Sequence, residues 1–137
     1  MTVSLAFSPC PNDTFVFHAL VHGLVPDAPR FDVTYADVDV TNTAATRGTF
    51  DLVKVSYAAL PWLLDKYALL PCGGALGRGC GPLVVVRDPE RTPDLAGRTV
   101  AVPGDRTTAY LLMRLWAAEA PPVGSSVYRG SNHGSAA

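Results

Sequence analysis

The 137-residue sequence predicts an α/β fold assembled from strand-turn-helix units. Two stretches carry that expectation. In the first, a short apolar run over 2–7 passes through the turn Ser8-Pro9-Cys10-Pro11-Asn12-Asp13-Thr14 into apolar residues on helical spacing over 15–22. In the second, an apolar run over 98–102 passes through Pro103-Gly104-Asp105-Arg106-Thr107-Thr108 into helical spacing over 109–118. With 48% hydrophobic residues, the chain has material for a sizeable core.

Taken in order, the first helix is expected to stop at Gly23, with Asn12 or Asp13 capping its start. Residues 25–30 hold two prolines and read as a loop, and 31–38 alternate as a strand does. Thr41, Asn42 or Thr43 then caps a short helix that ends near Arg47, where Gly48 suits the left-handed position just past it. A third strand is expected over 50–55. A further helix follows over 57–67, with Pro61 tolerated in its early turns. The glycine-rich stretch 72–82 reads as a hinge and residues 83–87 as a strand. On this pattern residues 1–93 form a first α/β lobe with its hinge strand, and residues 94–119 open a second lobe that faces it across a cleft. Residues 120–137 are small and polar without periodicity, which reads as an irregular, disordered tail. One strand and one helix do not cover both faces of a sheet, so the chain reads as truncated.

Composition narrows the partner. Eleven basic against twelve acidic residues, without a basic run, disfavour nucleic acid and anionic membrane surfaces and leave a small molecule. Met1 leads directly into strand-like residues with no basic n-region or long apolar core, so no signal peptide is read and a cytoplasmic location is expected. No apolar run approaches the length that spans a bilayer. Cys10, Cys72 and Cys80 are odd in number and lack CxxC spacing, which predicts reduced thiols, with Cys10 a small buried residue in its turn. His18 and His22 share a helix face, but a third ligand and the glutamate of HExxH are both missing, so no metal is assigned. Neither a dinucleotide fingerprint nor a P-loop occurs, and a nucleotide cofactor is unsupported.

The candidate site lies at the strand-to-helix turns. Lys54 interrupts an otherwise apolar strand, and a lysine there either points to solvent or offers its charge to a cleft. Alternation places Ser56 on the same side as Lys54, as a hydrogen-bond donor rather than a nucleophile, since no GxSxG elbow surrounds it. With Asp13, Thr107 and Thr108 at the other turns, these residues suit a small carboxylate-bearing ligand.

Four segments in order, SPCPNDTF from Ser8, DLVKVSY from Asp51, ALGRGCGPLVV from Ala75 and VAVPGDRTTAY from Val100, resemble the 1,4-dihydroxy-6-naphthoate synthase family of the futalosine route to menaquinone. The resemblance covers most of residues 3–117. It implies a two-lobed fold of the periplasmic-binding-protein type (type II), a lyase, and conversion of cyclic dehypoxanthine futalosine to 1,4-dihydroxy-6-naphthoate with no metal or organic cofactor. It further implies substrate contacts at Lys54, Val55, Ser56, Thr107 and Thr108, with Asp13 shaping the pocket. The family's proton-accepting histidine sits in a GLIIHE-like segment that these 137 residues lack. His133, in Ser-Asn-His-Gly-Ser, does not match that segment, so the chain alone is expected to be inactive. The rival readings are a non-catalytic module that binds small carboxylates and the related chorismate dehydratase.

Overall fold

The computed structural model describes residues 1–88, 99–119 and 127–129. The chain divides into two compact units, Met1–Leu76 and Gly77–Ala137.

The first unit is α/β with a parallel sheet of order β2-β1-β3. β1 (Thr2–Phe7) lies in the centre, so both of its faces are covered and Leu5, Ala6 and Phe7 are buried. β2 (Arg30–Tyr35) pairs with it along its whole length, and β3 (Leu52–Val53) pairs at Leu5↔Leu52 and Ala6↔Val53. The ladder runs one step further, because the Lys54 N–H donates to the Ala6 carbonyl at 2.8 Å. At the opposite end of β1, Ser4 and Asp51 clasp one another. The Ser4 N–H and hydroxyl both donate to Asp51 Oδ2, at 2.9 and 2.6 Å, and the Asp51 N–H donates to Ser4 Oγ at 2.9 Å. These bonds from Ser4 hold the Asp51 carboxyl below its ordinary pKa.

α1 spans Pro11–Val21 and so starts four residues before the expected position. Proline fits the first helical position because its missing N–H needs no partner there. The Cys10 carbonyl takes the N–H groups of Asp13 and Thr14, both at 3.0 Å, and no side chain caps this end. Asn12 and Asp13 are therefore residues of the first turn, not caps. Both early helices close on a left-handed glycine with a paired return. Gly23 (φ 66°) and Leu24 donate to Leu20 and Ala19, while Gly48 (φ 68°) and Thr49 donate to Ala45 and Ala44.

α2 spans Val38–Thr46 with Asp37 at its N-cap, so β2 ends three residues early and Thr41, Asn42 and Thr43 lie inside the helix rather than before it. The alternation over 31–38 is continued by the first turn of α2, which is why sequence places the boundary late. The helix expected over 57–67 is a 3-10 helix, Tyr57–Trp62. Pro61 has no N–H to donate back along an α-helix, and the turn closes instead through Ala59 N–H to Ser56 O and Leu63 N–H to Leu60 O, each 2.9 Å. Ala45, Ala59 and Leu63 form a buried cluster against which Val53, Val55 and Tyr67 pack.

In the second unit β4 (Val100–Val102) pairs in parallel with β5 (Val127–Arg129), and α3 spans Thr108–Glu119. β5 falls in the stretch expected to be irregular. Three residues are too few to show a period, and the pairing with β4 supplies what local pattern does not. The remainder of the expected tail, 120–126 and 130–137 with His133, lies outside the described residues, as does the expected lobe boundary near Asp94. The strand expected over 83–87 does not form among the described residues, where Leu83 and Val85 are 86% and 89% exposed. An apolar run becomes a strand only where a neighbouring strand takes its N–H and C=O groups.

Candidate ligand-binding site

In the first unit the candidate residues gather where β1 and β3 hand over to the segments that follow them, the edge from which open α/β sheets bind ligands. Val53 and Val55 pack on the Ala45-Ala59-Leu63 cluster, and Lys54 between them takes the other direction, where its ammonium pairs with Asp13 Oδ1. The Asp13 side chain is 5% exposed and that of Lys54 24%. A carboxylate so buried needs hydrogen-bond donors on both oxygens, and Asp13 has three partners: Lys54 Nζ and Asn12 Nδ2 (2.9 Å) on Oδ1, and the Ser8 hydroxyl (2.7 Å) on Oδ2. Asp13 thus acts as an anchor. It holds in place the Lys54 ammonium, a group with three N–H donors.

Ser56 follows two residues later but engages a different helix. β3 ends at Val53 and the 3-10 helix begins at Tyr57, with Ser56 at its N-cap. The Ser56 N–H donates to Asn42 Oδ1 at 2.9 Å, and Asn42 Nδ2 donates to Ser56 Oγ at 3.1 Å. Asn42 is 1% exposed, in the middle of α2. Val55, named with Lys54 and Ser56 by the resemblance, sends its side chain to the core cluster and leaves its main chain for any contact.

In the second unit the turn from β4 to α3 is closed by Thr107. Its hydroxyl donates to the Gly104 carbonyl at 2.8 Å and accepts from the Tyr110 N–H at 3.3 Å, an N-cap on the first turn of α3. Thr107 is 3% exposed, and Thr108, the first residue of α3, is exposed.

The other reactive side chains stand apart from these clusters. Cys10 is exposed, contrary to the expected burial, because the helix starts at Pro11 and leaves Cys10 on the outer side of the turn; Cys72 and Cys80 are exposed free thiols as well. The rings of His18 and His22 lie 4.4 Å apart on α1, and among the described residues no group of three or more His, Cys, Asp or Glu is placed to hold a metal ion. Among the described residues no helix is long and apolar enough to cross a membrane.

Sequence reasoning names Asn42 only as a possible helix cap and Ser8 only within its turn, not as the groups that hold Ser56 and Asp13. The signal for Asn42 is its place on α2, where Thr41, Asn42 and Ala45 are all buried. A polar side chain on the inward stripe of a helix requires a polar partner there.

Open parallel α/β sheets bind ligands at their carboxyl edge in many proteins, and sequence comparison narrows the class. The chain belongs to the menaquinone biosynthesis family, whose model matches residues 3–134. It is 66% identical over 123 residues to a 1,4-dihydroxy-6-naphtoate synthase of Streptomyces coelicolor, a match covering 90% of this chain and 43% of that protein. It is 51% identical over 119 residues to the 1,4-dihydroxy-6-naphtoate synthase of Thermus thermophilus, covering 87% of this chain and 43% of that one. The chain thus spans less than half the length of the curated relatives it matches. Among solved structures it resembles protein AF1704 from Archaeoglobus fulgidus, with a TM-score of 0.78 and 30% identity over 93% of this chain and 45% of that one.

Proposed function

We propose that this chain supplies part of the substrate site of an enzyme that converts cyclic dehypoxanthine futalosine to 1,4-dihydroxy-6-naphthoate. The observation that carries the reading is the part-buried Asp13-Lys54 pair, its lysine two residues before Ser56, inside a segment 66% identical to a relative bearing that enzyme's name. In this reading Lys54 offers its ammonium to the carboxylate of the substrate, Ser56 its hydroxyl, and Thr107 and Thr108 the start of α3. Asp13 acts through Lys54. The two-lobed arrangement of the periplasmic-binding-protein type belongs to the same proposal: residues 1–93 as a first lobe with the stretch 72–82 as hinge, residues 94–119 opening a second, and the protein working in the cytoplasm. These groups bind and orient; the proton-accepting histidine of the reaction is supplied by the part of the relatives' length that this chain does not span.

The test is a hybrid in which the aligned 123-residue stretch replaces its counterpart in the Streptomyces coelicolor relative. Turnover of cyclic dehypoxanthine futalosine, with KM raised in Lys54→Ala, is the expected result. Dehydration of chorismate instead would point to the related dehydratase, and binding of either compound without turnover to a non-catalytic module.

A further inference from the structure

We infer that Asn42 is a positioning residue that fixes the Ser56 hydroxyl as a donor aimed at the ligand. The inference deepens the site proposed above and rests on that reading for the identity of the ligand. It starts from an asymmetry in the amide. The backbone N–H of Ser56 is a donor that cannot be turned around, so the Asn42 atom it meets at 2.9 Å must be the carbonyl oxygen Oδ1. The other atom, 3.1 Å from Ser56 Oγ, is then the NH2 group, which only donates. Ser56 Oγ must accept from it. The hydroxyl hydrogen is therefore directed away from Asn42, free to meet an oxygen of a carboxylate-bearing ligand.

Burial makes the arrangement rigid. Asn42 is 1% exposed on the inward side of α2, beside Thr41, whose own hydroxyl is taken by the Val38 carbonyl at 3.1 Å. Reversing the amide would set the Ser56 N–H against an NH2 group with no water to relieve the clash of donors. A serine hydroxyl in water points either way. Here the position facing Asn42 is closed to the hydrogen, which removes part of the rotor entropy and the competing state that a ligand oxygen would otherwise have to overcome.

The test is a cycle on the hybrid enzyme with Asn42→Leu, Ser56→Ala and the double variant, read as KM for cyclic dehypoxanthine futalosine, kcat and the thermal midpoint. Each single change is expected to raise KM roughly tenfold to a hundredfold, the range for a hydrogen bond to a charged group, with kcat changed much less. The double variant should be no worse than the poorer single one. Effects on KM that multiply would overturn the inference, because Asn42 would then act independently of the hydroxyl. Should Asn42→Leu fail to fold, Asn42→Asp serves: it keeps an acceptor for the Ser56 N–H but turns the second atom into an acceptor, so the hydroxyl swings back and KM rises. An unchanged KM in a folded Asn42→Asp overturns the inference. A measurement without substrate separates this failure from that of the proposed function. In the 137-residue chain, Ser56→Ala should move one Asn42 side-chain amide proton upfield in the NMR spectrum, and an unmoved proton removes the hydrogen bond on which the inference stands, whatever the protein binds.

Discussion

Replacing Lys54 by methionine isolates the electrostatic centre of the site. The change keeps the length and most of the apolar stem of the side chain, so packing is little altered and the charge is what disappears. Asp13, 5% exposed in its side chain, is then left with Ser8 and Asn12 as hydrogen-bond donors and no cation. Breaking a fully buried pair by removing one partner destabilises by about 3–5 kcal/mol; with Lys54 24% exposed and two donors remaining on Asp13, about 2–3 kcal/mol is expected here. The assay is urea unfolding of the 137-residue chain followed by far-UV circular dichroism. A second variant makes the prediction discriminating. Adding Asp13→Asn to Lys54→Met removes the orphaned charge, so the double variant should be more stable than Lys54→Met by at least about 1 kcal/mol. Two results refute the reasoning: a Lys54→Met chain within about 0.5 kcal/mol of the parent, the range of an ordinary surface change, or a double variant less stable than the single one.

Two further predictions concern the ends of the elements. The Asp51 carboxyl, held below its ordinary pKa by its bonds from Ser4, contributes stability that is present above the unfolded-state value and lost as pH falls through the lowered one. Asp51→Asn should therefore flatten the acid limb of the stability curve, and Ser4→Ala should return the carboxyl, followed by NMR titration, towards the ordinary aspartate value. At the other turn, Thr107→Ala removes the cap on α3 and should destabilise the fold by about 1 kcal/mol, with Thr107→Ser recovering most of it in thermal unfolding.

The succession of strands and helices is legible in the sequence because β1 and the turns after it use strong local signals: an apolar run, Pro11 at a helix start, and Gly23 and Gly48 at helix ends. Boundaries are less so. The start of α1 is obscured because Pro9 and Pro11 look alike as turn residues, while only the second is the first residue of a helix. The segment after Ser56 has helical apolar spacing, yet it forms a 3-10 helix in which Pro61 lacks the N–H that an α-helix would bond back to Tyr57. At 83–87 composition suggests a strand that has no described partner, since pairing is a property of two segments and composition of one. Lys54 stands out as the lone cation in a largely apolar segment. What it pairs with does not, because Asp13 lies 41 positions away and only the adjacency of β1 and β3 brings the two together. Asn42 is hidden for the opposite reason: read locally it is a helix cap, and only the burial of that side of α2 shows that it faces Ser56.

The ion pair also serves as a check on how the sheet is threaded. β3 meets β1 at only two residue pairs, Leu5↔Leu52 and Ala6↔Val53, a contact short enough that a slip by one residue would forfeit little in main-chain bonding. Such a slip would turn Lys54 to the opposite face, force Val53 or Val55 out of the apolar cluster and strand a carboxylate in the interior. The same charge that anchors Asp13 thereby disfavours the slipped threading of the sheet.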